Sequence, residues 1–392
     1  MAGMDPVGAA TARPSAHSGS VQTASPCLES VEDFGGSPSP RRSMQRQRQA
    51  AGLIRQMSRR SWLALLLLAA VGCGDGTPVA PRGPTSAPDP GGPTQTEQGC
   101  SRTSVGLTPL TDLAGGSYQG QSGGLYGGGS NALPSAHAED GLAMARSIGP
   151  LDASGRPASS GRHVFLSIGM SNTTQEFSTF KPMADADALR DPRLVVVDGA
   201  QGGVTAADWS NPGCPCWNQV GNRLQAAGVT ASQVTSAWLK LADRQPTEGW
   251  PTHAERLRDN IVRVVEQLPG RFPSLRIAYL SSRIYAGYAT TTLNPEPYAY
   301  QSGFSVRWTI EQQLRGGLRY AGPSLTAPWL AWGPYVWADG TNARGDGLTW
   351  ACSDFGSDGT HPSAAGRQKV AAALLNFVRT DLTAREWYLA NP

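Results

Sequence analysis

The sequence predicts an α/β fold, a parallel sheet of about five strands covered by helices on both faces, so three layers (α/β/α) in all. Short apolar runs without polar alternation are the mark of strands buried on both faces. Segments with helical spacing separate them, so strand and helix alternate along the chain. No repeat period interrupts this order, and nothing in the 392 residues suggests a second globular domain.

The predicted strands are "HVFLSI" (163–168), "RLVVVDG" (193–199), "VTSAWLKLA" (234–242), "LRIAYLSS" (275–282) and "APWLAW" (327–332). The helical patterns lie around 171–190 and at 217–228, 253–268, 305–317 and 363–380. In the last of these, Val370, Leu374 and Phe377 share one face. Such a sheet carries its working residues on loops at the C-terminal ends of its strands.

The chain ahead of the first strand divides by composition. Residues 1–56 and 74–99 are crowded with Pro, Gly, Ser, Thr, Gln and Arg and lack apolar periodicity, so neither offsets its ordering entropy by burial. Between them, "MSRRSWLALLLLAAVGC" (57–73) has two arginines, an apolar run from Trp62 to Val71 and small residues before Cys73. That run is too short to span a bilayer and suits a signal peptide. Its ending "AVGC" resembles a bacterial lipoprotein signal, which implies lipidation of Cys73 and an exported chain anchored in the cell envelope, at the periplasm or the cell surface. Plain secretory cleavage is the alternative, since Ala70 stands where Leu is usual. Translation is expected to begin at Met57. The expected order is then 1–56 outside the mature protein, 57–73 signal, 74–99 tether, 100–160 a Gly-rich irregular lead-in packed on the core, and 161–392 the functional domain.

The net charge is +3 and the pI about 8.6. Arg13, Arg41, Arg42, Arg46, Arg48, Arg55, Arg59 and Arg60 all precede the globular part, which has no basic stripe, so a nucleic-acid partner is not expected. The only expected membrane contact is the N-terminal lipid. Cys100, Cys214, Cys216 and Cys352 remain beyond Cys27 and Cys73, and in an exported chain disulfides are the default. "CPC" at 214–216 is tight for an internal bridge, so at least one of its members is expected to bond to Cys352 or Cys100. No fitting histidine pair supports zinc.

At the end of the first strand stands "IGMSNTTQEF" (168–177). A serine at a strand-to-helix turn exposes its hydroxyl and aims its own N–H into the site, near the positive end of the helix dipole. Ser171 is the candidate nucleophile. It needs a base, and a histidine held in one tautomer by a carboxylate is one at neutral pH. "SDGTHPSAAG" (357–366) supplies both in Asp358 and His361. Taken singly, Ser171 also reads as a helix cap, and Asp358 with His361 as a polar turn.

"GMSN" after the first strand, "GAQGG" after the second and "DGTHP" before the last helix together resemble the SGNH, or GDSL-like, hydrolases. The "G-x-S-N" form is most similar to the carbohydrate and sialate acetylesterase branch. The resemblance covers roughly 160–380. It implies a flavodoxin-like three-layer fold and a serine esterase cleaving carboxylic esters, acetyl esters in this branch, with no metal or organic cofactor. It also implies an oxyanion hole from the N–H of Ser171, a glycine N–H at Gly202 (Gly203 its neighbour) and a side chain of the third block. There the usual "G-x-N-D" is replaced by "LKLADR", with Asp243 near the asparagine's place. An ionised aspartate repels an oxyanion, so either Asp243 points elsewhere or Lys240, Arg244 or Asn172 takes over.

Trp308, Trp329, Trp332, Tyr335, Trp337 and Trp350 crowd the stretch before the catalytic loop, and Tyr285, Tyr288, Tyr298 and Tyr300 follow the fourth strand. They either fill the core or stack on sugar rings of a glycan ester. His163 and His253 read as structural, and "ADGTNARGDG" (338–347) as a solvated turn and not a calcium loop. The competing reading is a catalytically silent carbohydrate-binding lipoprotein of the same fold. A peptidase is disfavoured, as nothing visible grips an extended peptide.

Overall fold

The computed structural model describes residues 99–392. The signal peptide with Cys73, the segment 1–56 and all but the end of the tether lie outside the described residues. Among the described residues no helix is long and apolar enough to cross a membrane.

The chain enters through a two-residue hairpin, β1 (Ser117–Tyr118) and β2 (Gln121–Ser122), and helix α1 (Ser135–Arg146). There follow β3 (His163–Gly169), α2 (Ser171–Asp185), β4 (Leu194–Asp198), α3 (Ala206–Ser210), α4 (Pro215–Ala226), β5 (Val234–Lys240) and α5 (Thr252–Arg271). The fold ends with β6 (Ile277–Leu280), α6 (Tyr298–Leu314), β7 (Trp329–Trp332), α7 (Ala364–Thr380) and α8 (Ala384–Tyr388). The sheet is parallel throughout, in the order β4-β3-β5-β6-β7. Counting β3 as the first strand, this is the flavodoxin-like order, with the chain reversing direction across the sheet at β3.

Every residue of β3, β5, β6 and β7 is buried, which is why their sequences are mostly apolar and lack a polar alternation. Helices α2, α7 and α8 pack together in one layer, and α3, α5 and α6 in the other. Helix α5 shows the cause most clearly. His253, Leu257, Asn260, Ile261, Val264, Val265 and Leu268 recur at helical spacing on its buried face.

Residues 101–162 are less irregular than expected, because "SAHAEDGLAMAR" forms α1. Its buried His137 stacks on Trp329 of β7 and bonds to Leu330 O at 2.9 Å. The rest of the lead-in is tied down by polar contacts. Asp339 accepts from Ser104 Oγ (2.5 Å) and Val105 N (2.7 Å), so the 338–347 turn anchors the chain and is only partly solvated.

The disulfide expectation is overturned. Cys100 bridges Cys352, and Cys214 bridges Cys216. Cys214 is extended (φ −59°, ψ 127°) as the N-cap of α4, and Pro215 starts the helix at its first position. That change from extended to helical backbone sets the two Cα atoms 5.2 Å apart, within the span of a disulfide.

Candidate active site

The C-terminal edge of the sheet gathers three loops around Ser171. The first is the direct junction from β3 to α2. Gly169 ends the strand, Met170 is the N-cap and Ser171 is the first helical residue. Its N–H is thus among those with no partner inside the helix, at the positive end of the dipole.

The second loop brings in His361 and Asp358. Ser171 Oγ lies 2.7 Å from His361 Nε2, and His361 Nδ1 lies 2.5 Å from Asp358 Oδ2. An ionised carboxylate only accepts, so Nδ1 carries the hydrogen and Nε2 is left to accept from the serine hydroxyl. The other oxygen of Asp358 accepts from the backbone of Thr360 and His361, both at 3.0 Å. Burial pushes the Asp358 carboxyl up, but the bonds from His361 and Thr360 outweigh it and hold it below the usual carboxylate range.

This loop is clamped from several sides. Phe355 and Pro362 form a bridge that pinches it, and Gly356 N donates to His361 O at 2.8 Å. Asn172, next to Ser171, donates to Thr360 O at 3.1 Å, while Thr290 N from the loop after β6 donates to Asp358 O at 3.0 Å. Gly359 has φ +63°, and a Cβ there would lie 1.8 Å from Tyr288 O. Only glycine fits that approach.

The third loop follows β4. A Cβ at Gly202 would come 4.0 Å from Ser171 Cβ, so this glycine borders the serine, and Gly203 beside it has φ +79°. Gln201 fixes the loop by donating its N–H to Gly169 O (2.9 Å) and its side chain to Cys216 O (2.8 Å).

The end of β5 is different. Asp243 is buried and turns its carboxylate to α5, toward Arg256 Nε at 3.5 Å and Asn260 Nδ2 at 3.4 Å. Burial pushes its carboxyl up, against Arg256. Two of the three suggested substitutes are engaged elsewhere. Lys240 is buried with both carboxylate oxygens of Glu176 at 2.6 and 2.7 Å, Arg244 is exposed, and the Asn172 amide is on Thr360 O. Burial pushes Lys240 down to about 8 and Glu176 up.

Sequence reasoning missed Glu176, Thr290 and Asn294. The Asn294 amide donates to Asp243 O at 3.1 Å from a left-handed backbone, φ +54°. The dipeptide Asn294–Pro295 was a turn signal, but nothing in it pointed to β5. Among the described residues no group of His, Cys, Asp and Glu is arranged to hold a metal. Of the ten aromatic residues singled out from the sequence, Trp329, Trp332, Tyr335, Trp337, Trp350, Tyr285, Tyr288 and Tyr300 are buried core, and Tyr298 and Trp308 are half-buried.

No protein-family model matches the chain, and no curated protein matches it. Solved structures resemble the chain only at low identity and low TM-score. One is a Bacteroides fragilis protein assigned as an acylhydrolase (12% identity, 65% of this chain and 100% of that one, TM-score 0.34). Another is an acetyl esterase (12% identity, 54% and 94%, TM-score 0.30). A third is the periplasmic domain of a lipopolysaccharide acetyltransferase from Salmonella ser. Paratyphi A (14% identity, 62% and 88%, TM-score 0.32).

Proposed function

We propose that this protein is a serine esterase that hydrolyses carboxylic esters through an acyl-enzyme. The observation that carries the reading is the hydrogen-bonded line from Ser171 Oγ through the His361 ring to Asp358, at 2.7 and 2.5 Å. His361 Nε2 takes the hydroxyl proton as Ser171 Oγ attacks the acyl carbon, then returns it to the leaving alcohol. Asp358 keeps the ring in the required tautomer and stabilises the imidazolium. The N–H groups of Ser171 and Gly202 face the developing oxyanion. Water, activated by His361 in turn, releases the acid.

The acyl group we assign is acetyl, from the "G-x-S-N" form of the nucleophile block. A carbohydrate as the alcohol part rests on the same resemblance, since of the ten aromatic residues singled out from the sequence eight are buried in the core. We further propose export, with lipid anchoring at Cys73. The Cys100–Cys352 bridge supports it, because disulfides persist in oxidising compartments.

The test is hydrolysis of a chromogenic acetate ester together with labelling by a fluorophosphonate probe. Wild type should turn over and label, whereas Ser171→Ala and His361→Ala should each lose at least about 10⁴-fold in rate. A folded wild-type protein that neither labels nor exceeds the two variants would favour the silent binding lipoprotein instead.

A further inference from the structure

We infer that the Cys214–Cys216 pair is a thiol–disulfide exchange site, with Cys214 as the sulfur that meets an external thiol and Cys216 as the resolving sulfur. The inference stands apart from the esterase reading and rests on how the two cysteines sit at the start of α4.

Cys214 is half-buried, flanked by exposed Asn211, Pro212, Gly213 and Pro215, while Cys216 is buried. A dissolved thiol therefore reaches one sulfur and not the other. Cys214 is also the N-cap of a 12-residue helix, and its Sγ accepts from Cys216 N at 3.2 Å. In a reduced pair that bond becomes charge-assisted and stabilises the Cys214 thiolate, as the helix dipole does. The turn is also tied to a cation. Arg271 Nη2 donates to Pro212 O at 2.7 Å, and its guanidinium lies 4.2 Å from the centre of the Trp217 ring. Stabilising a thiolate stabilises the reduced form and makes the disulfide more readily reduced.

In Cys100–Cys352 both cysteines are half-buried, so burial does not single out one sulfur there. That bridge joins residues 252 apart in sequence, whereas Cys214 and Cys216 are 2 apart and open within one turn. In the exchange, a thiolate RS⁻ attacks Cys214 Sγ, the S–S bond breaks, and Cys216 leaves as a thiolate that takes up a proton. A second RS⁻ attacks the R sulfur of the mixed disulfide, releasing RSSR and the Cys214 thiolate. Two external thiols are oxidised and one protein disulfide is reduced by two electrons. The co-reactant class is a small thiol or the dithiol of another protein. The same turn borders the loop beside Ser171, since Gln201 holds Cys216 O.

The experiment equilibrates the full-length protein, without denaturant, in glutathione buffers of graded thiol-to-disulfide ratio, traps free thiols by alkylation and quantifies each cysteine peptide. Cys214–Cys216 should be half-reduced at a ratio at least about tenfold more oxidising than Cys100–Cys352. At partial conversion glutathione should be found on Cys214, and Cys216→Ser should accumulate that adduct. The proposal is overturned if Cys214–Cys216 stays closed until Cys100–Cys352 opens, or if glutathione is carried by Cys216. The wild-type measurement decides alone should the variant fail to fold.

Discussion

The ends of β3 and β5 are neighbours in the sheet and are used in opposite ways. At the end of β3, Ser171 has its hydroxyl on His361, and His361 is held by an Asp358 that is fixed by two backbone amides. At the end of β5, Asp243, Arg256, Asn260 and His253 turn toward one another. Arg256 reaches Asp243 Oδ2 and lies 3.2 Å from His253 Nδ1. One strand end presents its polar groups to one another in a hydrogen-bonded line. The other uses the same residue types to fasten a loop to α5. Residue identity near a strand end therefore says less than where the side chain finds its partners.

The sharpest way to break the first half of this contrast is Asp358→Asn. The amide leaves the geometry in place but can donate to Nδ1, so the ring presents its N–H to the serine and loses its basicity. A fall of about 10⁴-fold in kcat is expected. A fall of less than tenfold in ester hydrolysis would mean that the Asp358–His361 contact only shapes the loop.

The second half is broken through pH. Burial, and then the Arg256 charge, push His253 down to about 4 from an ordinary 6.5. Between those values only the unfolded chain takes up the proton. The stability due to the neutral ring is whole above pH 6.5 and is lost as pH falls toward 4. Wild type should lose ~2–3 kcal/mol more between pH 7 and 4.5 than His253→Gln. Denaturant midpoints at the two pH values measure it, and equal losses would show that His253 is not kept neutral by the fold.

Much of this was legible in the sequence, and the exceptions have physical causes. The five strands were readable because burial on both faces leaves them mostly apolar, with the few polar residues, such as Ser167 and Lys240, paired inside. The start of α6 at Tyr298 was not, because every residue from Ala299 to Arg307 is buried and no polar face marks a helical period. Helix α1 was hidden by its Gly- and Ser-rich surroundings. The aromatic residues before the catalytic loop were ambiguous because composition does not tell a ring in the core from a ring in a groove. Ser171, His361 and Asp358 stood out because spacing and order limited their roles. The bond from Asn294 to Asp243 O depends on a loop conformation that no short pattern encodes.

A smaller effect tests the loop that joins the two regions. At Gly203, φ is +79° and nothing lies within 4 Å of a Cβ, so Gly203→Ala adds backbone strain without a clash. At ~1–2 kcal/mol, that strain should lower kcat about tenfold if it reaches the neighbouring Gly202 N–H. Gly202→Ala, whose Cβ meets only Ser171 Cβ at 4.0 Å, should cost less. The reverse order would place the sensitive backbone at Gly202 itself.

The smallest expected effect bears most directly on the difference between the strand ends. Asp243→Asn recreates the amide that the resemblance leads one to expect at this position. If the side chain served the oxyanion, an amide there would gain the factor of ~10²–10³ that one such donor contributes. The side chain is instead turned to Arg256 and Asn260, and its place beside β5 is fixed by Asn294 holding its carbonyl. An amide can keep its oxygen on Arg256 while its NH2 replaces the acceptor of the long Asn260 contact, so the side chain stays on α5 and kcat should stay within about threefold of wild type, far below the worth of a donor. A hundredfold gain would mean that residue 243 turns into the site once its charge is gone, and that the carboxylate, not the architecture of the β5 end, had been holding the rate down.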